Sequence, residues 1–238
     1  MAEADVMAFG AHPDDIELGC GGTLIKMGDV GRSVVLVDLT RGEMSTRGTP
    51  ETRAVEAEAA RTILGAQLRV NLGLQDGNLT NSPDARFRIA RVVRQYRPRL
   101  VLLPYHQDRH PDHYHASELI YEGVFSAGLE RLSTGQQSFR PPRLMYYMSW
   151  YEFEPTFVVD ISAQYERKME AIEAYGSQFR ADDPSFQQTR LTSDAYRWLL
   201  HSRMAYYGAQ IGCRYGEAFL IRGRMAIGDP MDVSFSAF

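Results

Sequence analysis

Two stretches of this chain concentrate the residue types that do acid–base and metal chemistry. Ala11-His12-Pro13-Asp14-Asp15 lies near the start, and Asp108-Arg109-His110-Pro111-Asp112-His113 lies near the middle. Each contains the tripeptide His-Pro-Asp, and each follows a short apolar run that reads as a strand. Imidazole and carboxylate groups ligate divalent cations such as Zn²⁺, and a catalytic site uses three protein ligands and leaves a position open for water. His12, Asp15 and His113 supply such a set. Asp14 is then free to act on a water at the open position, and His110 and Asp112 form a second pair in which the carboxylate orients the imidazole. A plainer reading makes these residues helix starts, with Asp capping and Pro at the first helical position. It accounts for each residue singly, but poorly for two His-Pro-Asp tripeptides at equivalent strand ends.

The elements that must position these groups are legible from apolar periodicity. Val6–Ala11, Ser33–Thr40, Arg69–Leu74 and Leu100–Tyr105 are nearly continuous apolar runs, as in strands buried on both faces. Between them, Gly19–Val30, Glu51–Leu64 and Asp84–Tyr96 carry helical spacing, and Pro98 closes the third. Strands alternating with helices imply right-handed βαβ units. The fold class predicted is α/β: a Rossmann-like, mainly parallel sheet flanked by helices, with a C-terminal α/β extension. In such sheets ligands bind at the carboxyl ends of the strands, where both motifs fall. Further on, Arg143–Trp150 and Phe157–Ile161 read as later strands, an antiparallel extension or edge. Glu166–Phe179 and Asp194–Ile211 read as helices, and Ala218–Arg222 as a late strand. No composition break marks a linker, so residues 1–238 read as one domain.

Composition excludes several classes of partner. The chain has 238 residues and a formal net charge of −4, so no global basic field draws it to nucleic acid or anionic lipid. Its apolar runs are far shorter than the ~20 residues that cross a bilayer, and the start lacks the pattern of a secretory signal, so a cytoplasmic location is expected. Cys20 and Cys213 make no disulfide framework or Cys-x-x-Cys cluster, and each is expected to be a buried thiol.

The Ala-His-Pro-Asp-Asp motif, the segment Gly19-Cys20-Gly21-Gly22-Thr23 and His110-Pro111-Asp112-His113 together resemble the PIG-L/LmbE family of zinc de-N-acetylases. Within it, Leu39–Glu43, Ser45–Thr49, Arg53 and Glu170–Tyr175 with Ser177-Gln178-Phe179 are similar to the branch that acts in bacillithiol biosynthesis on N-acetylglucosaminyl malate. Cys20 departs from the small or aliphatic residue usual at its position. The resemblance implies Zn²⁺ (or another divalent ion) on His12, Asp15 and His113. It also implies Asp14 as general base, His110 as a charged stabiliser supported by Asp112, and Tyr196 as a donor to the acetyl oxygen. The substrate implied is a small sugar conjugate. Arg53, Arg109 and Lys168 are candidates to hold the malate carboxylates, and Glu43 to accept from sugar hydroxyls. Similar proteins form homo-oligomers, hexamers among them.

Other readings remain at this level. Gly19-Cys20-Gly21 after the first strand and Asp38 in the second imitate a dinucleotide site, although Leu24 stands where its third glycine belongs. A sugar- or metal-binding protein without turnover is another. A de-N-acetylase for a different glycan or thiol conjugate is the rival within the enzyme class. The aromatic run Tyr146, Tyr147, Trp150, Tyr151 and Phe153 reads as core and rim, and His201 as a packing residue.

Overall fold

The computed structural model describes residues 3–181 and 187–233. Strands β1 (Val6–Gly10), β2 (Val34–Thr40), β3 (Leu68–Leu74), β4 (Leu100–Pro104), β5 (Leu144–Tyr147), β6 (Phe157–Asp160) and β7 (Gly216–Leu220) join in one sheet of order β3-β2-β1-β4-β5-β7-β6. The first five are parallel, and β7 runs antiparallel between β5 and β6. Strand order therefore reverses between β1 and β4. This is the topological switch point at which open α/β sheets bind ligands, and it lies directly beneath the two His-Pro-Asp motifs.

The expected helices are present as α1 (Asp15–Asp29), α2 (Pro50–Leu64) and α3 (Pro83–Tyr96). A fourth, α4 (Pro111–Ala127), follows β4 directly and was not anticipated from periodicity. Its beginning is the second motif itself: His110 is the N-cap, and its Nδ1 accepts from Asp112 N at 3.2 Å. The helix-start reading and the metal reading of that motif are thus compatible. The expected helix Glu166–Phe179 is two helices, α5 (Tyr165–Glu173) and α6 (Gly176–Phe179), and α7 spans Asp194–Gln210.

Side chains of β1, β2 and β4 alternate between two cores, as burial on both faces requires. Met7, Phe9, Val37 and Leu103 pack against α3 and α4, and Val6, Ala8, Leu36 and Leu102 pack against α1. β3 is an edge strand with exposed positions, so double-sided burial does not extend to it. Cys20 is buried as expected, whereas Cys213 is only partly so.

Helix α1 starts at Asp15, earlier than its glycines suggest, and is broken at Cys20 (φ −145°, ψ 15°). The break frees backbone groups that need partners. Gly22 N and Thr23 N donate to the two oxygens of buried Glu217 at 2.9 and 2.7 Å. Lys168 Nζ donates to Leu18 O at 2.9 Å and pairs with Glu217 at 2.6 Å. Lys168 therefore joins the two halves of α1 from inside the core and holds no substrate carboxylate, contrary to its expected role. A Cβ at Gly19 would overlap the Tyr147 ring, whose hydroxyl donates to Phe9 O at 2.7 Å, so glycine there lets α1 lie close to the sheet.

The dinucleotide reading is removed by Asp38. Its carboxylate is buried and held by Arg69 at 2.7 and 2.8 Å, and the same guanidinium pairs with Glu17. Buried and paired in this way, Asp38 presents no exposed carboxylate to a ribose. Among the described residues, no helix is long and apolar enough to cross a membrane.

Candidate metal and catalytic site

The turn after β1 and the start of α4 bring His12, Asp15 and His113 together, with one ligand atom of each within 4.8 Å of the others. Tight local bonds set the turn: His12 N donates to Asp15 Oδ2 at 2.8 Å, and Leu18 N donates to Asp14 O at 3.0 Å. His113 Nε2 lies 3.1 Å from Asp15 Oδ1. His12 Nδ1 lies 3.4 Å from Asp15 Oδ2.

The other nitrogen of each ring is fixed by a carboxylate. His12 Nε2–H donates to Asp76 Oδ1 at 2.9 Å and lies 3.3 Å from Asp112 Oδ2. His113 Nδ1–H donates to Asp108 Oδ1 at 3.1 Å. Carboxylates only accept, so these nitrogens carry protons, and the nitrogens facing Asp15, His12 Nδ1 and His113 Nε2, are the ones that would bind an ion on giving up theirs. This is how metal-binding imidazoles are oriented by outer carboxylates, and the donor set fits a divalent ion.

Electrostatics agree with that fit. Burial acts against the charged form of His113, but Asp15 and Asp108 outweigh it and raise the imidazole to about 9. Burial likewise opposes the carboxylate of Asp15, yet the two imidazoles hold it well below its usual range. The cluster is thus a set of acid and base groups arranged to share positive charge. Protons supply that charge here, and a cation would replace them.

Asp14 sits beside this cluster in a left-handed conformation that side chains rarely adopt (φ 121°), a kind of strain found at functional positions. Burial pushes its carboxyl up to about 7 against the downward pull of Arg53. Arg53 is itself buried, and its guanidinium donates to Asp14 Oδ2 at 3.0 Å, to Ser45 Oγ at 2.5 Å and to Pro13 O. It holds the Asp14 turn through these bonds, while its side chain lines the cavity and its Nε makes no hydrogen bond.

His110 stacks on His113 (4.7 Å between centroids, 19°) and meets His12 edge-on. Burial, followed by the charges of His113 and His12, pushes its pKa down. Because its Nδ1 accepts a backbone N–H, the neutral ring carries its proton on Nε2. The expectation of a charged His110 supported by the Asp112 side chain is corrected: the Asp112 carboxylate takes Gly77 N (2.7 Å), Leu79 N (3.3 Å) and His12. Its hydrogen bond to His110 is made by the backbone N–H alone.

Tyr196 lies in the first turn of α7, where Ser193 Oγ accepts its N–H at 3.2 Å. Its ring is 5.0 Å from that of Trp150, and burial leads the effects that raise its pKa, so the phenol stays protonated. A cavity of about 380 Å³ joins His12, Asp14, His113, Tyr196, Trp150 and Arg109. Glu43 does not line it. The Glu43 oxygens take Asp76 N at 3.0 Å and Arg41 N at 3.2 Å, so its role is to fix a loop rather than meet a sugar. Of the aromatic run only Trp150 reaches the cavity wall, while Tyr146 and Tyr147 are core. His201 is half-buried at Tyr165 OH, in the packing role expected.

Sequence reasoning missed Asp76 and gave no role to Asp108. Asp76 follows β3, and the strand-end rule that found the two His-Pro-Asp motifs applied equally to it.

Fold and site together define an α/β protein with a candidate three-ligand metal centre at its switch point. A model of the PIG-L family, described as GlcNAc-PI de-N-acetylase, matches residues 7–124. The diacetylchitobiose deacetylase of Thermococcus kodakarensis is 31% identical over 224 residues, covering 89% of this chain and 80% of that one. The crystal structure of the conserved protein TT1542 from Thermus thermophilus superposes with a TM-score of 0.86 at 38% identity, over 94% of this chain and 98% of that one. The N,N'-diacetylchitobiose deacetylase from Pyrococcus horikoshii superposes with a TM-score of 0.80 at 28% identity, over 91% of this chain and 83% of that one. This chain belongs to the PIG-L family of de-N-acetylases.

Proposed function

We propose that the protein is a Zn²⁺-dependent hydrolase that removes acetate from an N-acetylglucosamine conjugate, with N-acetylglucosaminyl malate as its substrate. The observation that carries the hydrolase reading is Asp14: a buried carboxylate adjoining the ligand cluster, raised towards neutrality, and held by Arg53 rather than by the ligands. The malate reading is supported by the sequence features of the bacillithiol branch and by Arg109 on the cavity wall.

A Zn²⁺ ion held by His12, Asp15 and His113 would acidify a water and polarise the acetyl carbonyl. Asp14 takes a proton from the attacking water as its oxygen bonds to the acetyl carbon. The same carboxyl then delivers that proton to the amide nitrogen as the C–N bond breaks, giving the free amine and acetic acid, which ionises to acetate by releasing the water's second proton. Tyr196 O–H and His110 Nε2–H, neutral donors of side chains that line the same cavity, would stabilise the charge that develops on the carbonyl oxygen. Arg53 keeps Asp14 in its turn, and Asp76, Asp112 and Asp108 keep the ligand rings in register.

Acetate release tests this on the metal-free and zinc-loaded protein with N-acetylglucosaminyl malate, diacetylchitobiose and free N-acetylglucosamine. Release from the malate conjugate that a chelator abolishes and zinc restores is the expected result. Release undiminished after complete metal removal defeats the metal reading. Preference for chitobiose over the malate conjugate moves the substrate to a neutral glycan.

A further inference from the structure

The cavity carries more positive charge than its ligand cluster employs. Arg47, Arg53, Arg109, Arg190 and Arg203 all line it, in a chain whose net charge is −4. Arg53 is committed to Asp14, and the carboxylates of Asp15 and Asp76 face His113 and His12. Arg109 and Arg190 are different. Both are exposed, and both lie against one indole: Arg109 Cζ is 4.3 Å from the centroid of a Trp150 ring and Arg190 Cζ is 5.0 Å. Neither guanidinium has a carboxylate within ion-pair distance among the described residues.

Each cation–π contact contributes only ~0.5–1 kcal/mol at an exposed site, and two like charges gathered on one ring repel. An anion between or beside them removes that repulsion, and guanidinium matches the geometry of carboxylate and phosphate oxygens. The residue that carries this indole is anchored to the reaction centre through its backbone. Trp150 N donates to Asp108 Oδ2 at 2.9 Å, while Oδ1 of the same carboxylate holds His113. The Trp150 ring also packs against Tyr196.

We infer that Arg190, together with Arg109 on the same Trp150 side chain, forms an anion subsite that selects acetamido-sugar conjugates bearing a carboxylate or phosphate on the aglycone. The inference rests on the deacetylase reading and names the residues, Arg190 and Trp150 among them, that select its substrate. It places specificity on the segment just before α7, outside both His-Pro-Asp motifs.

The test uses the full-length zinc-loaded protein and three substrates: N-acetylglucosaminyl malate, N-acetylglucosamine 1-phosphate and methyl N-acetylglucosaminide. The wild type is expected to favour an anionic substrate over the neutral glycoside in kcat/KM by about tenfold or more, as loss of one charged hydrogen bond would imply. Whichever of malate and phosphate is favoured identifies the oxyanion. Arg190→Gln should shrink the anionic-to-neutral ratio by about the same factor, through KM, and about 0.5 M salt should shrink it in the wild type by screening. If Arg190→Gln lowers all three substrates equally, or leaves the ratio unchanged, the subsite is refuted while the deacetylase reading stands. If the zinc-loaded wild type releases acetate from none of them, the deacetylase reading fails and the subsite fails with it.

Discussion

Arg53 and Asp14 face each other at 3.0 Å, both buried, where the first turn of α2 meets the turn after β1. The pair links α2, which carries none of the proposed metal ligands, to the proposed general base. Burial has brought Asp14 to about 7, and Arg53 is the strongest influence in the other direction. Removing the guanidinium therefore raises Asp14 further.

A general base works only when deprotonated, so Arg53→Gln is expected to move the acidic limb of the kcat/KM profile to higher pH. Turnover near neutrality should fall by roughly 10–10² as the base loses ionisation and alignment. A pH–rate profile of zinc-loaded Arg53→Gln checks this. A change confined to KM for the malate conjugate, with the limb unmoved, would restore Arg53 to carboxylate binding.

Metal uptake should depend on pH with a definite sign. His113 stands at about 9 in the metal-free protein, so below that value its imidazole holds a proton that a metal must displace. Zinc affinity is expected to rise as pH increases from about 6 to 9, with protons released on binding from His113 and from His12, whose imidazole, against the effect of burial, is also raised by the carboxylates around it. Competition against a chromogenic chelator across that range measures it. A flat profile would show that His113 is not a ligand.

Asp108 should matter to the metal without touching it. Asp108→Asn leaves His113 Nδ1 with a neutral partner, and loss of such an outer carboxylate typically costs about 10–100-fold in metal affinity or activity. Zinc titration of the variant checks this, and wild-type affinity with wild-type turnover would mean that the Asp108–His113 bond is not used.

Lys168 and Glu217 should behave as a structural pair. Lys168→Met strands Glu217 as an unpaired buried carboxylate, a change expected to cost about 3–5 kcal/mol of stability. The fall should appear in denaturant unfolding of the zinc-loaded protein, with little change in KM for the malate conjugate among molecules that remain folded. A raised KM at unchanged stability would return Lys168 to the substrate.

What could be read in the sequence and what could not divide along a physical line. Apolar runs located β1, β2 and β4 within a residue or so, because a strand buried on both faces has little choice of composition. Both His-Pro-Asp motifs were found because each follows such a run. Their common edge followed from a parallel sheet, but their meeting at the switch point follows from strand order, which apolar periodicity does not give. Side-chain direction was not legible. Asp112 is two residues from His110 and was expected to serve it, but the first turn of α4 turns its carboxylate to Gly77, Leu79 and His12. Lys168 finds Glu217 49 residues away, across a helix break at Cys20 that periodicity did not reveal. α4 escaped notice because its first turn is occupied by the motif and its apolar positions are interrupted by exposed Tyr114, Tyr121 and Phe125.

The most direct measurement sets zinc content beside acetate release for the wild type and Asp14→Asn, using N-acetylglucosaminyl malate. Zinc should be held equally by both, since Asp14 is outside the ligand set, while turnover of the variant should fall by about 10²–10⁴ for loss of a general acid–base group. Near-normal turnover by a fully zinc-loaded Asp14→Asn protein, or loss of its zinc, would contradict the division of labour between the ligands and the base.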